Sequence, residues 1–73
     1  MDLSSLAVFR TVATEKSFSR AAVKLARTQP AVSLAIKRLE LDVGEPLIDR
    51  SGRQTRLTDA GQVVLDHARR FEN

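Results

Sequence analysis

Apolar side chains recur at intervals of three and four along most of this chain, and the clearest stripe lies between Thr28 and Gly44. Val32, Ile36, Leu39 and Val43 share one side of a helix there, which places Pro30, Ser33, Leu34 and Lys37 on the other. Thr28 is a natural N-cap, Pro30 fits a first turn where its missing N–H costs little, and Gly44 supplies the left-handed residue that ends a helix. The outer side of this helix is unlike a solvated surface, because a proline, a serine and a leucine precede the bases Lys37 and Arg38. We read it as a presented face, suited to a groove of DNA.

The flanking segments support that helix. Asp2 can cap a first helix whose Leu3, Leu6, Phe9 and Ala13 lie on one side, with Val12 at the border and an end near Glu15. After a polar break at Lys16-Ser17, a second helix starts at Ser17 or Ser19 and buries Phe18, Ala21, Ala22, Leu25 and Ala26. The alanine pair lets another helix cross closely, and Ala26-Arg27-Thr28 forms the turn of a helix-turn-helix. Beyond Gly44, Glu45-Pro46 breaks the helix. Leu47 to Arg50 and Gln54 to Leu57 read as two short strands around Ser51-Gly52-Arg53, a small hairpin or wing with a basic tip. Arg53 could there reach a phosphate or the minor groove, although an ordinary exposed turn has the same composition. Thr58 then caps a last helix, with Asp59 at its positive end. Gly61, Val64, Ala68 and Phe71 repeat along it at spacings of three and four. That stripe suits a fragment of a longer protein, a dimer interface, or a frayed helix end that merely covers the domain core.

Composition narrows the chemistry. Seventy-three residues make one small domain, able to bury only about 60% of its unfolded surface. With no cysteine and one histidine, disulfides and thiolate zinc sites are excluded, a metal-held fold is disfavoured, and no cofactor is expected. No apolar run approaches a membrane span and the N-terminus lacks the order of a signal peptide, so the expectation is a cytoplasmic protein that does not engage membranes. The net charge is only +3, but it is segregated. From Lys16 to Arg38 there are six bases and no acid, and Arg50, Arg53 and Arg56 form a second acid-free group. Such segregation draws a polyanion to one face, though a charge run alone is equally the mark of a solvated face.

Two competing functions are weaker. Ser33, Asp66 and His67 supply hydrolytic residue types, but Ser33 sits on the presented helix, Asp66 and His67 are adjacent on another, and no nucleophile elbow or glycine loop accompanies them. No catalytic residue is expected. A winged helix that binds only another protein would show little salt dependence, whereas phosphate contacts impose a steep one.

The run from Ser17 to Gly61 resembles the winged helix-turn-helix domain of the LysR-type transcriptional regulators. The matching positions are Ser17-Phe18, Ala21-Ala22, Leu25, Gln29-Pro30-Ala31-Val32-Ser33, Ile36, Leu39-Glu40, Gly44, Pro46-Leu47, Arg50, Leu57-Thr58 and Gly61. The resemblance implies a mainly α fold: a three-helix core, a two-stranded wing and a C-terminal linker or dimerisation helix. It divides the chain into a DNA-binding domain over 1–58 and the start of the linker helix over 59–73. It further implies a bacterial regulator that binds double-stranded DNA as a homodimer through the last helix, at an interrupted inverted repeat. An effector-binding domain of periplasmic-binding-protein type, absent from this chain, would take any small-molecule effector.

Carried over by position, the resemblance puts Gln29 and Pro30 at the base edges, Ser33 on a phosphate or a base, and Arg50 and Arg53 in the wing's contacts. With the presented face read above, the residues expected at DNA are Thr28, Gln29, Pro30, Ser33, Leu34, Lys37, Arg38, Arg50 and Arg53. Those expected at the dimer interface are Val64, Ala68 and Phe71. Three departures from the commonest pattern matter. Leu34-Ala35 stands where Arg-Gln is frequent, which removes a cation and offers a thymine methyl an apolar partner. Leu41-Asp42 and Ile48 replace a usual acidic pair and phenylalanine without consequence for the fold. Lys16 stands where glycine is frequent, at a cost of up to about 1 kcal/mol if the turn needs a positive φ.

Overall fold

The computed structural model describes residues 2–70. Four helices and one hairpin follow in the order α1 (Leu3–Glu15), α2 (Phe18–Leu25), α3 (Gln29–Val43), β1 (Ile48–Asp49), β2 (Arg56–Leu57) and α4 (Asp59–Arg70). Each of the first three helices opens on the cap read from the sequence. The Ser5 amide donates to the Asp2 carboxylate at 2.7 Å, the Arg20 amide to the Ser17 hydroxyl at 3.1 Å, and the Ala31 amide to the Thr28 hydroxyl at 3.2 Å. The Ser5 amide also holds the Asp2 carboxyl below the ordinary aspartate range.

The same three helices end on left-handed residues: Lys16 at φ 55, Ala26 at φ 55 and Gly44 at φ 88. Only the last is a glycine, so the first two positions are strained. Replacing Lys16 by glycine is expected to raise the unfolding free energy by about 0.5 to 1 kcal/mol. Thermal unfolding of Lys16→Gly reads this directly, and a lower Tm than the parent would contradict it. Ala26 corrects the expected face of α2, since it caps the helix and is exposed. The left-handed turn rotates its side chain away from the stripe formed by Ala21 and Ala22.

The core centres on α1, which packs against α2, α3 and α4. Val8, Phe9, Val12, Ala21, Val32, Ile36, Leu39 and Leu47 have essentially no solvent exposure. The inward face of α1 is rotated from the expected one. Val8 and Thr11 are buried, Leu6 and Ala13 lie at the margin, and Leu3 is 68% exposed. α1 packs against three helices, α2, α3 and α4, so more than one side of it is covered, which a single stripe does not anticipate. Thr11 is accommodated because its hydroxyl donates to the Ala7 carbonyl at 2.9 Å.

The wing strands are two residues each rather than four, with Ile48 opposite Leu57 and Asp49 opposite Arg56. Asp49 turns its carboxylate back to accept from the Ser51 hydroxyl at 2.6 Å and the Ser51 amide at 2.9 Å, so the ladder gives way to a local turn. Those bonds, the hydroxyl's first, keep its carboxyl below the ordinary range.

Thr58 joins the wing to α4. Its hydroxyl accepts from the Gly61 amide at 3.0 Å and donates to the Pro46 carbonyl at 2.7 Å. Val64 and Ala68 correct the expected dimer interface, since both are buried within this chain, Val64 in the shared core. They have almost no surface left for a partner. Val63, Asp66 and Arg70 carry the exposed side of α4, and Phe71 lies outside the described residues.

Candidate nucleic-acid interface

The N-terminal half of α3 is the projecting element. Val32, Ile36 and Leu39 anchor it in the core, which turns Gln29, Pro30, Leu34, Lys37 and Arg38 to solvent and leaves Ser33 half-buried at the edge. Thr28 and Gln29 sit at the positive end of the helix dipole, favourable for an anion. Gln29 is not loose: its side-chain oxygen accepts from the Ser19 hydroxyl on α2 at 3.1 Å. A carbonyl oxygen has two lone pairs, so the amide keeps both a donor and an acceptor for a base edge.

Two surfaces flank this half-helix. On one side a cleft of about 260 Å³ runs between α3 and the wing, lined by Gln29 and Ser33 across from Asp49, Arg50, Gly52, Gln54 and Thr55, with Phe18 also in its wall. On the other side Ala31, Leu34 and Arg38 face Arg27 and the start of α1 across a wider depression. Leu34 is 49% exposed, a large apolar group beside Arg38 on a flank that also carries the exposed Leu41. Arg53 is exposed between Gly52 and Gln54 at the wing tip.

Of the expected residues, Gln29, Ser33 and Arg50 meet around the cleft, Leu34 and Arg38 line the opposite flank, and Lys37 stands between the two sets on the exposed side of α3. Lys24 is elsewhere, paired with Glu15 at 3.2 Å, so the long basic run does not act as one patch. Sequence reasoning missed Ser19, Gln54 and Thr55, for which no periodic signal exists, and the structural weight of Glu40. The Glu40 carboxylate accepts from the Leu47 and Ile48 amides at 2.7 and 3.2 Å.

The hydrolytic constellation does not assemble. Asp66 accepts from the Gln62 side-chain amide at 3.1 Å along its own helix, and Ser33 belongs to the α3 and wing cleft. Among the described residues, no group of three His, Asp or Glu is placed to hold a metal ion, and no helix is long and apolar enough to cross a membrane.

Comparison with known proteins agrees with this geometry. Residues 3–62 match the family model for bacterial regulatory helix-turn-helix proteins of the lysR family. The chain is 47% identical over 69 residues to a probable RuBisCO transcriptional regulator of Cyanidioschyzon merolae, covering 94% of this chain and 23% of that protein. It is 50% identical over 71 residues to an uncharacterized HTH-type transcriptional regulator encoded in the ibpB-leuC intergenic region of Azotobacter vinelandii, covering 97% and 49%. The chain thus spans from about a quarter to half the length of these relatives. Among solved structures, the crystal structure of a BenM_DBD/catB site 1 DNA complex superposes with a TM-score of 0.93 at 35% identity, over 97% of this chain and 79% of that one. These are regulators rather than enzymes, and the chain belongs to the LysR family of bacterial regulatory helix-turn-helix proteins and folds as that family's DNA-binding domain.

Proposed function

We propose that the domain reads DNA with α3 in the major groove and the wing at or near the adjacent minor groove. The observation that carries this reading is the exposed N-terminal half of α3, where amide, hydroxyl and cation stand together beside the wing cleft. Gln29 has the donor and acceptor that suit adenine, Ser33 and Thr28 serve phosphate or base, and Pro30 approaches base edges without an amide to satisfy. Lys37, Arg38, Arg50 and Arg53 meet the phosphate backbone, with Arg53 placed for the minor groove. A solved relative of 35% identity in complex with DNA supports the assignment.

Leu34 is assigned to a thymine methyl. Leu34→Ala is expected to weaken binding by about 1 kcal/mol only at sites with thymine at one position. Unchanged affinity and unchanged sequence preference would remove that role.

The domain acts as a homodimer on an interrupted inverted repeat, in the cytoplasm and at the nucleoid. α4 begins a linker helix whose exposed side, with Val63 57% exposed, meets its counterpart. The full regulator carries an effector-binding domain after it. Selection from a pool of randomised duplexes at moderate salt tests the reading. A two-fold symmetric site supports a dimer on DNA, a single half-site assigns dimerisation to the rest of the protein, and no enrichment overturns DNA recognition.

A further inference from the structure

An acid at a DNA-binding surface repels the phosphates it must approach, and Glu40 stands on the recognition helix itself. Its two oxygens have different partners. Oε2 accepts from the backbone amides of Leu47 and Ile48, at 2.7 and 3.2 Å, where the wing begins. Oε1 faces Nη2 of Arg50 at 3.8 Å, just after β1, where the hairpin loop begins. The Arg50 guanidinium in turn lies over the Phe18 ring of α2, 5.3 Å from its centroid. One carboxylate therefore gathers all three elements of the interface: α3 carries it, the wing is tied to it twice, and α2 supplies the ring under the cation.

The exposures of these groups decide what the arrangement does. The Glu40 side chain is only 17% exposed, whereas that of Arg50 is 52% exposed. A long, half-exposed ion pair contributes little to stability. The amide bonds to the carboxylate, one of them short, are partly buried, and they fix where the wing starts relative to α3. A guanidinium held by one ring face and one oxygen still has N–H groups for a phosphate, and its direction is already set.

We infer that Glu40 is a positioning residue for DNA recognition: it locks the wing and Arg50 to α3, so that both DNA-contacting elements arrive in one fixed geometry. This rests on the DNA reading above, and it goes beyond that reading by giving specificity to a residue that touches no DNA. Its negative charge lowers attraction for any duplex, while its geometry favours the one duplex that matches.

The test uses the duplex enriched by the parent chain and a mixed-sequence duplex, with Glu40→Gln, Arg50→Ala and the double variant. The Gln side-chain oxygen keeps the amide bonds of the wing but loses hold of Arg50. Glu40→Gln is expected to lose about fivefold in affinity for the enriched duplex, with no loss on the mixed one. The double variant should be little weaker than Arg50→Ala alone. Equal changes on both duplexes, or independent losses that multiply, would overturn the inference while leaving DNA recognition intact. A parent chain that enriches nothing overturns both. In the free protein, hydrogen exchange at the Leu47 and Ile48 amides should accelerate in Glu40→Ala and hold in Glu40→Gln; no acceleration in Glu40→Ala removes the clamp without reference to DNA.

Discussion

Gly61→Ala is expected to lower the stability of the domain by roughly 2 to 3 kcal/mol, the upper part of the range for forcing an extra group into a packed site. For a domain of this size that is a fall in Tm of roughly 10 to 20 °C. A Cβ at position 61 would run into the backbone carbonyl oxygen of Leu47 and lie 3.1 Å from its carbonyl carbon. That carbonyl has nowhere to go. It accepts from the Thr58 amide at 3.1 Å, Thr58 is bonded to both Pro46 and Gly61, the Leu47 amide is held by Glu40, and the Leu47 side chain is fully buried. Relief requires lifting α4 from the base of the wing. At an unconstrained helix position the same change would add up to about 1 kcal/mol of stability, so the sign alone is diagnostic. An unchanged or raised Tm would show that α4 does not press on Leu47 as the structure has it.

The largest effect on binding is expected from Lys37→Glu. Lys37 is exposed on α3, one turn beyond Ser33 and away from the stripe of Val32, Ile36 and Leu39. Reversing its charge removes an attraction to phosphate and adds a repulsion, and a like-charge contact of this kind costs several kcal/mol. We expect roughly a hundredfold loss of DNA affinity at about 0.1 M salt, with a smaller loss for Lys37→Ala. Stability should move by no more than about 0.5 kcal/mol, because the side chain is solvated and outside the core. Titration of a labelled duplex beside a thermal melt separates the two effects. Retained affinity in a folded Lys37→Glu chain would mean that this face of α3 does not approach DNA.

Local signals were the legible part of the fold. Asp2, Ser17 and Thr28 cap helices within three residues of themselves, and Gly44 ends one by its own backbone freedom, so these boundaries could be read from neighbours alone. The alanine pair and the stripe of α3 likewise announce a crossing that the structure contains. What escaped depends on distant partners. Val8 and Thr11 are buried on a helix that packs against three others, one of them α4, some fifty residues later in the chain, and Val64 and Ala68 of α4 are buried in turn. Ala26 carries no mark of its left-handed conformation, unlike Lys16, whose position in the family pattern pointed to it.

The candidate site divides along the same line. The exposed members of α3 follow from knowing its buried stripe, whereas the cleft needs the wing folded against Gln29 and Ser33. Glu40 was visible as part of the family pattern, but its work is done on the Leu47 and Ile48 amides and on Arg50, contacts that no helical periodicity encodes.

Binding of the phosphate backbone by this surface is read from duplex affinity against salt concentration for the parent chain and Arg53→Ala. Each phosphate neutralised contributes a slope of about −0.9 in log affinity against log salt. The parent is expected to show a steep negative slope, with Arg53→Ala shallower by about 1 and weaker on all sequences alike. A flat dependence, or no binding even at low salt, would contradict phosphate contact by this surface and turn the search to a protein partner.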